Sequence, residues 1–212
     1  MSQPTSAGAG LRDVPAAPSS ICYIDGDEGY LSYRGYNVHD LARHCSFEEV
    51  IYLLWHGKLP KQAEVADLKA QLQANAAAPA QLLDLMKAFP KDAVPMAALR
   101  TALSALAFYD PDTGDSSPEA NQRKALRLMA QTSTLVAAFD NIRNGREPKA
   151  PRTDLSFAAN FLYMLTGKAP DEVEERAFDI ALTLHADHEL NASTFAASVT
   201  AGTLVDVYEE VT

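Results

Sequence analysis

After residue 36 the sequence has no further stretch of alternating apolar and polar residues, and prolines and glycines divide it into segments with helical periodicity. Ser46 and Glu49 form a capping-box pair that predicts a helix from Phe47 to His56. The one alternating stretch, residues 21–36, surrounds a turn at Gly26–Gly29 and predicts a short hairpin. The sequence therefore predicts an all-α fold with one short β-hairpin near the N-terminus.

Two longer helices are predicted in the middle of the chain. Pro95 opens an almost wholly apolar segment that runs to Phe108 (residues 95–108). Pro118 opens the longest helical segment, residues 118–143, which Asn144–Gly145 ends. Because the 95–108 segment carries so few polar side chains, we expect it to be buried on most of its sides.

The composition argues against nucleic acid and membranes as binding partners. The chain of 212 residues has 28 Asp and Glu against 18 Lys and Arg, a formal charge of -10, which repels a phosphate backbone and disfavours nucleic-acid binding. No apolar run approaches the ~18 residues that suggest a membrane span. We therefore expect neither nucleic acid nor membrane as a partner.

The N-terminus and the cysteines point to an intracellular protein. Residues 1–18 are rich in Ser, Ala, Gly and Pro and predict a flexible lead without a secretion signal, so the folded part is expected to span 19–212. Cys22 and Cys45 have neither metal-binding nor redox spacing, which favours reduced thiols. We expect a cytoplasmic location.

The strongest candidate for chemistry is the run from His185 to Asn191, between two predicted helices. His185 and His188 are three residues apart and therefore project from nearly the same helix face. Their spacing does not match zinc-protease patterns, so a metal site is disfavoured. Two interpretations remain open: histidines that stabilise a helix end, or an anion-binding pocket in which Asn191 is a second hydrogen-bonding group.

A second candidate is Arg34, which lies between two aromatic residues in the run Tyr33-Arg34-Gly35-Tyr36. Its guanidinium is either a stacked or salt-bridged structural group or a ligand contact. The sequence contains neither a Gly-x-Gly-x-x-Gly run nor a P-loop, so nucleotide binding through those motifs is not indicated.

Several ordered stretches together resemble the citrate synthase family, in particular the shorter bacterial citrate and 2-methylcitrate synthases. The most specific of them is the eleven-residue run that contains both candidate histidines. The matching stretches are Gly10–Arg12, Ile24–Gly26, Tyr33–Tyr36, Ser46–Val50, Leu53–Pro60, Ala158–Leu165 and His185–Phe195. They are spread over almost the whole chain, in the order in which the family has them.

The resemblance implies a mostly helical homodimer in which a large and a small domain close over the substrates. It implies condensation of acetyl-CoA with oxaloacetate to citrate and CoA, the entry to the tricarboxylic acid cycle, with acetyl-CoA as co-substrate and no permanently bound cofactor. It further implies that His188 binds oxaloacetate, that Asn191 is its neighbour in the pocket, and that His185 contacts the substrate or shapes the helix end. Arg12 lies where relatives carry a basic residue near the CoA phosphates.

The family's catalytic residues are expected outside these 212 residues. The resemblance implies two catalytic histidines, in Gly-Pro-x-His-Gly-Gly-Ala-Asn and Gly-x-Gly-His segments, and an aspartate in an Asn-Val-Asp-Phe segment, none of which the sequence contains. Residues 19–212 therefore resemble the N-terminal part of the large helical domain, without the small domain and the C-terminal catalytic part. We expect the chain alone to be inactive; the alternatives are a non-catalytic binding module and a 2-methylcitrate synthase that uses propionyl-CoA.

The resemblance also implies where two copies of the chain meet. The helices around 95–108 and 118–143 correspond to family helices that pack across a dimer interface. Because the first of them is too apolar to face water, we expect a homodimer through this pair.

Overall fold

The computed structural model describes residues 17–203 and 205–212 of the chain. Near the N-terminus three strands form an antiparallel sheet in the order β1-β2-β3. They are β1 Cys22–Asp25, β2 Tyr30–Tyr33 and β3 Tyr36–Asn37. The predicted hairpin is confirmed for β1 and β2, and β3 extends it into a small sheet.

The third strand depends on the two-residue turn after β2. Arg34 (φ 50°) and Gly35 (φ 85°) both adopt left-handed backbone conformations, so the chain reverses at once and Tyr33 pairs with Tyr36. Glycine adopts such a conformation freely, but arginine rarely does. For this reason the sequence pattern did not reveal β3.

The remaining regular structure is helical. The described residues contain ten α-helices and one 3-10 helix, Ala107–Tyr109. The α-helices are α1 Val38–His44, α2 Phe47–His56, α3 Gln62–Asn75, α4 Ala80–Lys87, α5 Pro95–Leu106, α6 Pro118–Arg143, α7 Phe157–Thr166, α8 Glu172–Leu184, α9 Ala192–Ala201 and α10 Val207–Glu210. The all-α fold class with a small N-terminal sheet is thus confirmed.

Local capping accounts for the bounds of α2. The Ser46 hydroxyl accepts a hydrogen bond from the backbone N–H of Glu49 (3.4 Å), and the Glu49 carboxylate accepts one from the N–H of Ser46 (2.7 Å). At the other end Gly57 adopts φ 73° and donates its N–H to the carbonyl of Leu53. Both ends of α2 therefore satisfy backbone groups that a bare helix leaves unpaired.

The helices and the sheet enclose three apolar clusters. The first lies between α4, α5, α6 and α10, and the second between α2, α3 and α6. The third packs the sheet against α1 and α2, with Cys22, Tyr33, Val38, Leu41, Val50 and Leu53 at its centre. Ala186, in the candidate run, packs against the second and the third cluster. The segment that carries the candidate site is therefore in contact with the core through Ala186.

α5 is buried on one side only, contrary to the prediction. Its apolar stripe faces the first cluster, while Met96 remains 70% exposed and Phe108, in the following 3-10 helix, 87% exposed. The buried residues of α5 are Ala98, Ala102, Ala105 and Leu106. Apolar composition did not lead to all-round burial, because within one chain α4, α6 and α10 cover only this stripe.

The C-terminal segment is held to the loop before α6 by buried polar contacts. Lys124, on α6, is fully buried; its ammonium donates to Asp206 Oδ2 (2.7 Å) and to the carbonyl of Asp115 (2.8 Å). The Tyr208 hydroxyl donates to Asp110 Oδ2 (2.5 Å). These bonds fix α10 against α5 and α6.

α9 contrasts with the other longer helices. The sequence favours close helix packing through small residues here, but none of the ten α9 residues is buried within the described part of the chain. The predicted flexible lead, 1–18, lies almost entirely outside the described residues. No described helix is both long and apolar enough to cross a bilayer.

Candidate functional site

The candidate residues lie together in the connection between α8 and α9. α8 ends at Leu184 and α9 begins at Ala192, so His185, His188 and Asn191 share one seven-residue segment. All three side chains are exposed. A capping box at Asp171 and Glu174 fixes the start of α8.

His185 closes α8. Its Nδ1 atom lies 2.7 Å from the carbonyl oxygen of Ala181. A carbonyl oxygen only accepts, so Nδ1 carries the proton and donates. This bond satisfies one of the last carbonyls of the helix, which suits the role of shaping the helix end, and leaves Nε2 as the only ring nitrogen available for a ligand.

Asn191 opens α9. Its side-chain Oδ1 accepts a hydrogen bond from the backbone N–H of Thr194 (2.9 Å), the usual contact of a helix N-cap. The amide nitrogen of the same side chain is left to donate elsewhere. Because the first N–H groups of a helix carry partial positive charge, the surroundings of Asn191 favour an anion.

His188 lies between backbone groups that are held in place. The hydrogen bonds of the connection engage its neighbours Asp187, Glu189 and Asn191, and within the described residues they leave the His188 ring free to donate. A free imidazole, an amide and a helix N-terminus within four residues can bind a small carboxylate.

Tyr33 supports the connection from the sheet. Its hydroxyl donates to the carbonyl of Thr183 (3.0 Å), at the end of α8, and accepts the backbone N–H of Asp187 (3.4 Å). The side chain is completely buried, and this burial raises the pKa of the Tyr33 phenol above its usual value. Tyr33 therefore stays protonated at neutral pH and keeps its role as a hydrogen-bond donor.

Glu189 connects the other side of His188 to the same sheet. Its Oε1 atom accepts the backbone N–H of Ile24 in β1 (3.0 Å), while its own N–H donates to Asp187 Oδ1 (3.0 Å). Glu189 adopts φ 58°, a conformation that costs a non-glycine residue about 1–2 kcal/mol. The contacts around it must offset that cost.

The cysteines are not reactive groups here. Both are free thiols. Burial, and then the nearby Asp187 carboxylate, raise the pKa of Cys22 to about 12. Burial, and then Glu49, also raise the pKa of Cys45. Since the thiolate is the nucleophile, neither side chain is poised for covalent catalysis at neutral pH.

Arg34 has a structural role in this chain. Its guanidinium donates to the carbonyl of Leu54 (2.8 and 3.3 Å) and to the Ser20 hydroxyl (3.1 Å). These bonds join the sheet to the end of α2. Of the two interpretations left open by the sequence, the structure favours the structural one.

Two further points concern Arg12 and metal binding. Arg12, the predicted contact to CoA phosphates, lies outside the described residues. Among the described residues no group of three or more His, Cys, Asp and Glu side chains has a geometry that could hold a metal ion.

Sequence reasoning missed Tyr33 and Glu189 as part of the site. In the sequence Tyr33 stands out only as a neighbour of Arg34, and Glu189 only as a member of the histidine run. One signal was present: within the alternating stretch, Tyr33 is on the inward side of β2. Its bonds to residues 150 and more positions away leave no trace in local sequence.

Comparison with known proteins identifies the family. The model of the family "Citrate synthase, C-terminal domain" matches residues 10–212. The chain is 50% identical over 98% of its length to "Citrate synthase 2" of Bacillus subtilis and 41% identical over 96% to "2-methylcitrate synthase" of Mycobacterium tuberculosis. The chain belongs to the citrate synthase family. The resemblance inferred from the motifs is confirmed.

The solved citrate synthases support the same assignment and define its extent. The crystal structure of citrate synthase from Pyrobaculum aerophilum matches 95% of this chain with a TM-score of 0.90 and 39% identity. The chain covers 52% of that protein, 55% of the Bacillus subtilis relative and 51% of the Mycobacterium tuberculosis one. It thus spans about half the length of the citrate synthases that it matches.

Proposed function

We propose that this chain supplies part of the oxaloacetate site of a citrate synthase, which condenses acetyl-CoA with oxaloacetate to give citrate and CoA. The observation that carries the proposal is the connection between α8 and α9. There His188, whose imidazole has no hydrogen-bond partner among the described residues, and the amide of Asn191 lie at a helix N-terminus, in a chain 50% identical to a citrate synthase. Donors and a positive helix end suit a substrate with two carboxylates.

We propose a separate role for each of the three residues, supported for His185 and Asn191 by their hydrogen bonds. His188 donates to oxaloacetate, and Asn191 contributes its amide N–H₂, because its oxygen caps α9. His185 keeps the end of α8 in place through Nδ1 and contacts the substrate, if at all, only through Nε2. Arg12 binds the phosphates of acetyl-CoA, which is a co-substrate rather than a permanently bound cofactor.

We propose that the groups which remove a proton from acetyl-CoA and stabilise the enolate are not part of these 212 residues. The support is the match to about half the length of the relatives. A thioester methyl group is a weak acid, so its deprotonation needs a positioned base and a hydrogen-bond donor on the developing oxyanion. The chain alone should therefore bind substrate weakly and show no condensation. We place the reaction in the cytoplasm.

Two copies of the chain are proposed to associate through α5 and α6. The exposed side chains of Met96 and Phe108 support this, together with a cavity of about 310 Å³ between α5, α6 and α7, lined mainly by apolar side chains such as Leu99 and Phe161. Obligate interfaces are usually formed by apolar surface that a single copy leaves exposed.

A second candidate is 2-methylcitrate synthesis from propionyl-CoA and oxaloacetate. The 41% identity to the Mycobacterium tuberculosis 2-methylcitrate synthase favours it. Both reactions use oxaloacetate, so the proposed roles of His188 and Asn191 are the same in each.

The proposed site can be tested by titrating oxaloacetate into the purified chain while the histidine ring signals are followed by NMR, which detects millimolar affinity. We expect the His188 signals to shift with a saturable dependence on oxaloacetate. His188→Gln should weaken binding about tenfold, the loss of one hydrogen bond to a charged group. His44→Gln is the matched control, since His44 is also exposed and lies at a helix end. Equal affinity in His188→Gln and His44→Gln would remove His188 from the site.

A further inference from the structure

Hydrogen bonds attach the chain on both sides of His188 to the N-terminal sheet, although the bonded residues are 150 to 165 positions apart in sequence. On one side the Tyr33 hydroxyl bonds to Thr183 and Asp187. On the other side the Glu189 carboxylate accepts the N–H of Ile24. His188 is the residue between these two attachments.

The attachments are connected to each other and to Asn191. The Asp187 carboxylate accepts the N–H of Glu189 (3.0 Å), and the carbonyl of Glu189 accepts the N–H of Asn191 (3.0 Å). A continuous series of hydrogen bonds thus runs from the sheet to the N-cap of α9. Any displacement of Glu189 is transmitted to both candidate substrate-binding residues.

The backbone conformation of Glu189 is further evidence that this segment is held in place by its contacts. At φ 58° this glutamate is held in a conformation that side-chain-bearing residues avoid. Strained residues of this kind persist only where surrounding contacts fix them, and they cluster where a ligand is positioned. Here the fixing contacts come from Ile24 and Asp187.

The sheet to which these residues are attached is part of the core. Tyr33 is fully buried in the third apolar cluster, and Ile24 is paired with Leu31 across β1 and β2. The Tyr33 hydroxyl and the Ile24 backbone N–H are therefore fixed to elements that pack in the core. A backbone held by such groups loses less freedom when the side chain it carries binds a ligand.

We propose that Tyr33 and Glu189 are positioning residues, which hold the backbone on both sides of His188 against the N-terminal sheet and so preorganise the imidazole for a dicarboxylate substrate. This inference rests on the proposed function of His188. Neither Tyr33 nor Glu189 is proposed to touch the substrate; they connect His188 to the small sheet, which thereby supports substrate binding.

The test uses the full 212-residue chain and two measurements. The first is amide hydrogen exchange of Ile24, which reports whether the Glu189 attachment is present. The second is the affinity for oxaloacetate from the NMR titration. The variants are Tyr33→Phe, which removes one hydroxyl, Glu189→Ala, which removes the carboxylate, and Glu189→Gln, which retains an accepting side-chain oxygen. Glu28→Ala is the control, since Glu28 is an exposed carboxylate in the turn between β1 and β2.

We expect Glu189→Ala to lose the protection of the Ile24 amide and to bind oxaloacetate about five- to tenfold more weakly, with partial rescue in Glu189→Gln. Tyr33→Phe should weaken binding by a similar factor, and Glu28→Ala should change neither measurement. The His188 ring signals should broaden or move in Tyr33→Phe and Glu189→Ala before any ligand is added, which a general loss of stability does not produce.

The outcomes separate the two proposals. If the unmodified chain binds oxaloacetate and Glu189→Ala and Tyr33→Phe bind it equally well, the positioning role is wrong while the proposed function stands. If the unmodified chain shows no oxaloacetate-dependent change at His188, the proposed function fails, whatever the exchange of Ile24 shows. If Glu189→Gln is as impaired as Glu189→Ala, acceptance by the side-chain oxygen is not what positions His188, and the inference is overturned.

Discussion

The substitution Lys124→Met removes an ammonium group that joins α6 to the C-terminal segment. Lys124 is completely buried, and its partner Asp206 is 12% exposed. The ammonium donates 2.7 and 2.8 Å bonds to Asp206 Oδ2 and to the carbonyl of Asp115. Methionine fills a similar volume without donating, so the change isolates the loss of the polar contacts.

The expected cost follows from what is left behind. Removing one partner of a buried ion pair typically costs about 3–5 kcal/mol, because the remaining charge stays desolvated. Asp206 retains hydrogen bonds from the N–H groups of Tyr208 and Gly114 and has some access to water, which places the expected loss near the lower end, about 3 kcal/mol. For a chain of this length that corresponds to a fall in melting temperature of about 6–12 °C.

Urea denaturation followed by far-UV circular dichroism measures the effect. Lys87→Met is the matched control, since Lys87 makes an exposed ion pair with Asp84, and such pairs contribute less than about 1 kcal/mol. Adding Asp206→Asn to Lys124→Met should recover part of the loss, because the unpaired charge disappears while the cap of α10 is retained. A loss below about 1 kcal/mol, or one equal to that of Lys87→Met, would refute the reasoning from burial.

Three further outcomes follow from the structure. Met96→Glu places a charge on the proposed interface, so sedimentation should show a shift from dimer to monomer, whereas an unchanged mass would contradict that interface. Partial burial opposes ionisation of Asp206, but hydrogen bonds from Lys124 and from backbone N–H groups outweigh it and lower the pKa of Asp206. The stability that the ionised carboxylate contributes is present at neutral pH and should be lost as pH falls below about 4. Asp206→Asn should therefore flatten the pH dependence of the urea midpoint in that range. Iodoacetamide should label the buried Cys22 only after unfolding; rapid labelling of Cys22 itself in the native chain at neutral pH would contradict its burial and its raised pKa.

Local signals predicted the helices well wherever a cap defines the helix end. α2 has the predicted bounds because Ser46, Glu49 and Gly57 satisfy the terminal backbone groups by contacts within a few residues. α6 likewise begins at Pro118 and ends before Asn144, as predicted. In these helices the information is contained in adjacent residues, so the sequence pattern was sufficient.

Two kinds of feature were not predictable from the pattern: an unusual backbone conformation and contacts with distant partners. The third strand requires a left-handed Arg34, and the burial of α5 depends on which neighbours cover it. The candidate site shows the same division. The motif indicated His185, His188 and Asn191, whereas Tyr33 joined the site only through a fold that brings β2 to the end of α8.

The most direct test of the central claim is a chimera in which this chain replaces the matched half of the Bacillus subtilis relative, assayed for CoA release from acetyl-CoA in the presence of oxaloacetate. We expect turnover by the chimera, loss of most of it in the chimera with His188→Gln, and little change with His44→Gln. A folded chimera in which His188→Gln is as active as the unsubstituted form, at every oxaloacetate concentration, would contradict the assignment of His188 to the oxaloacetate site.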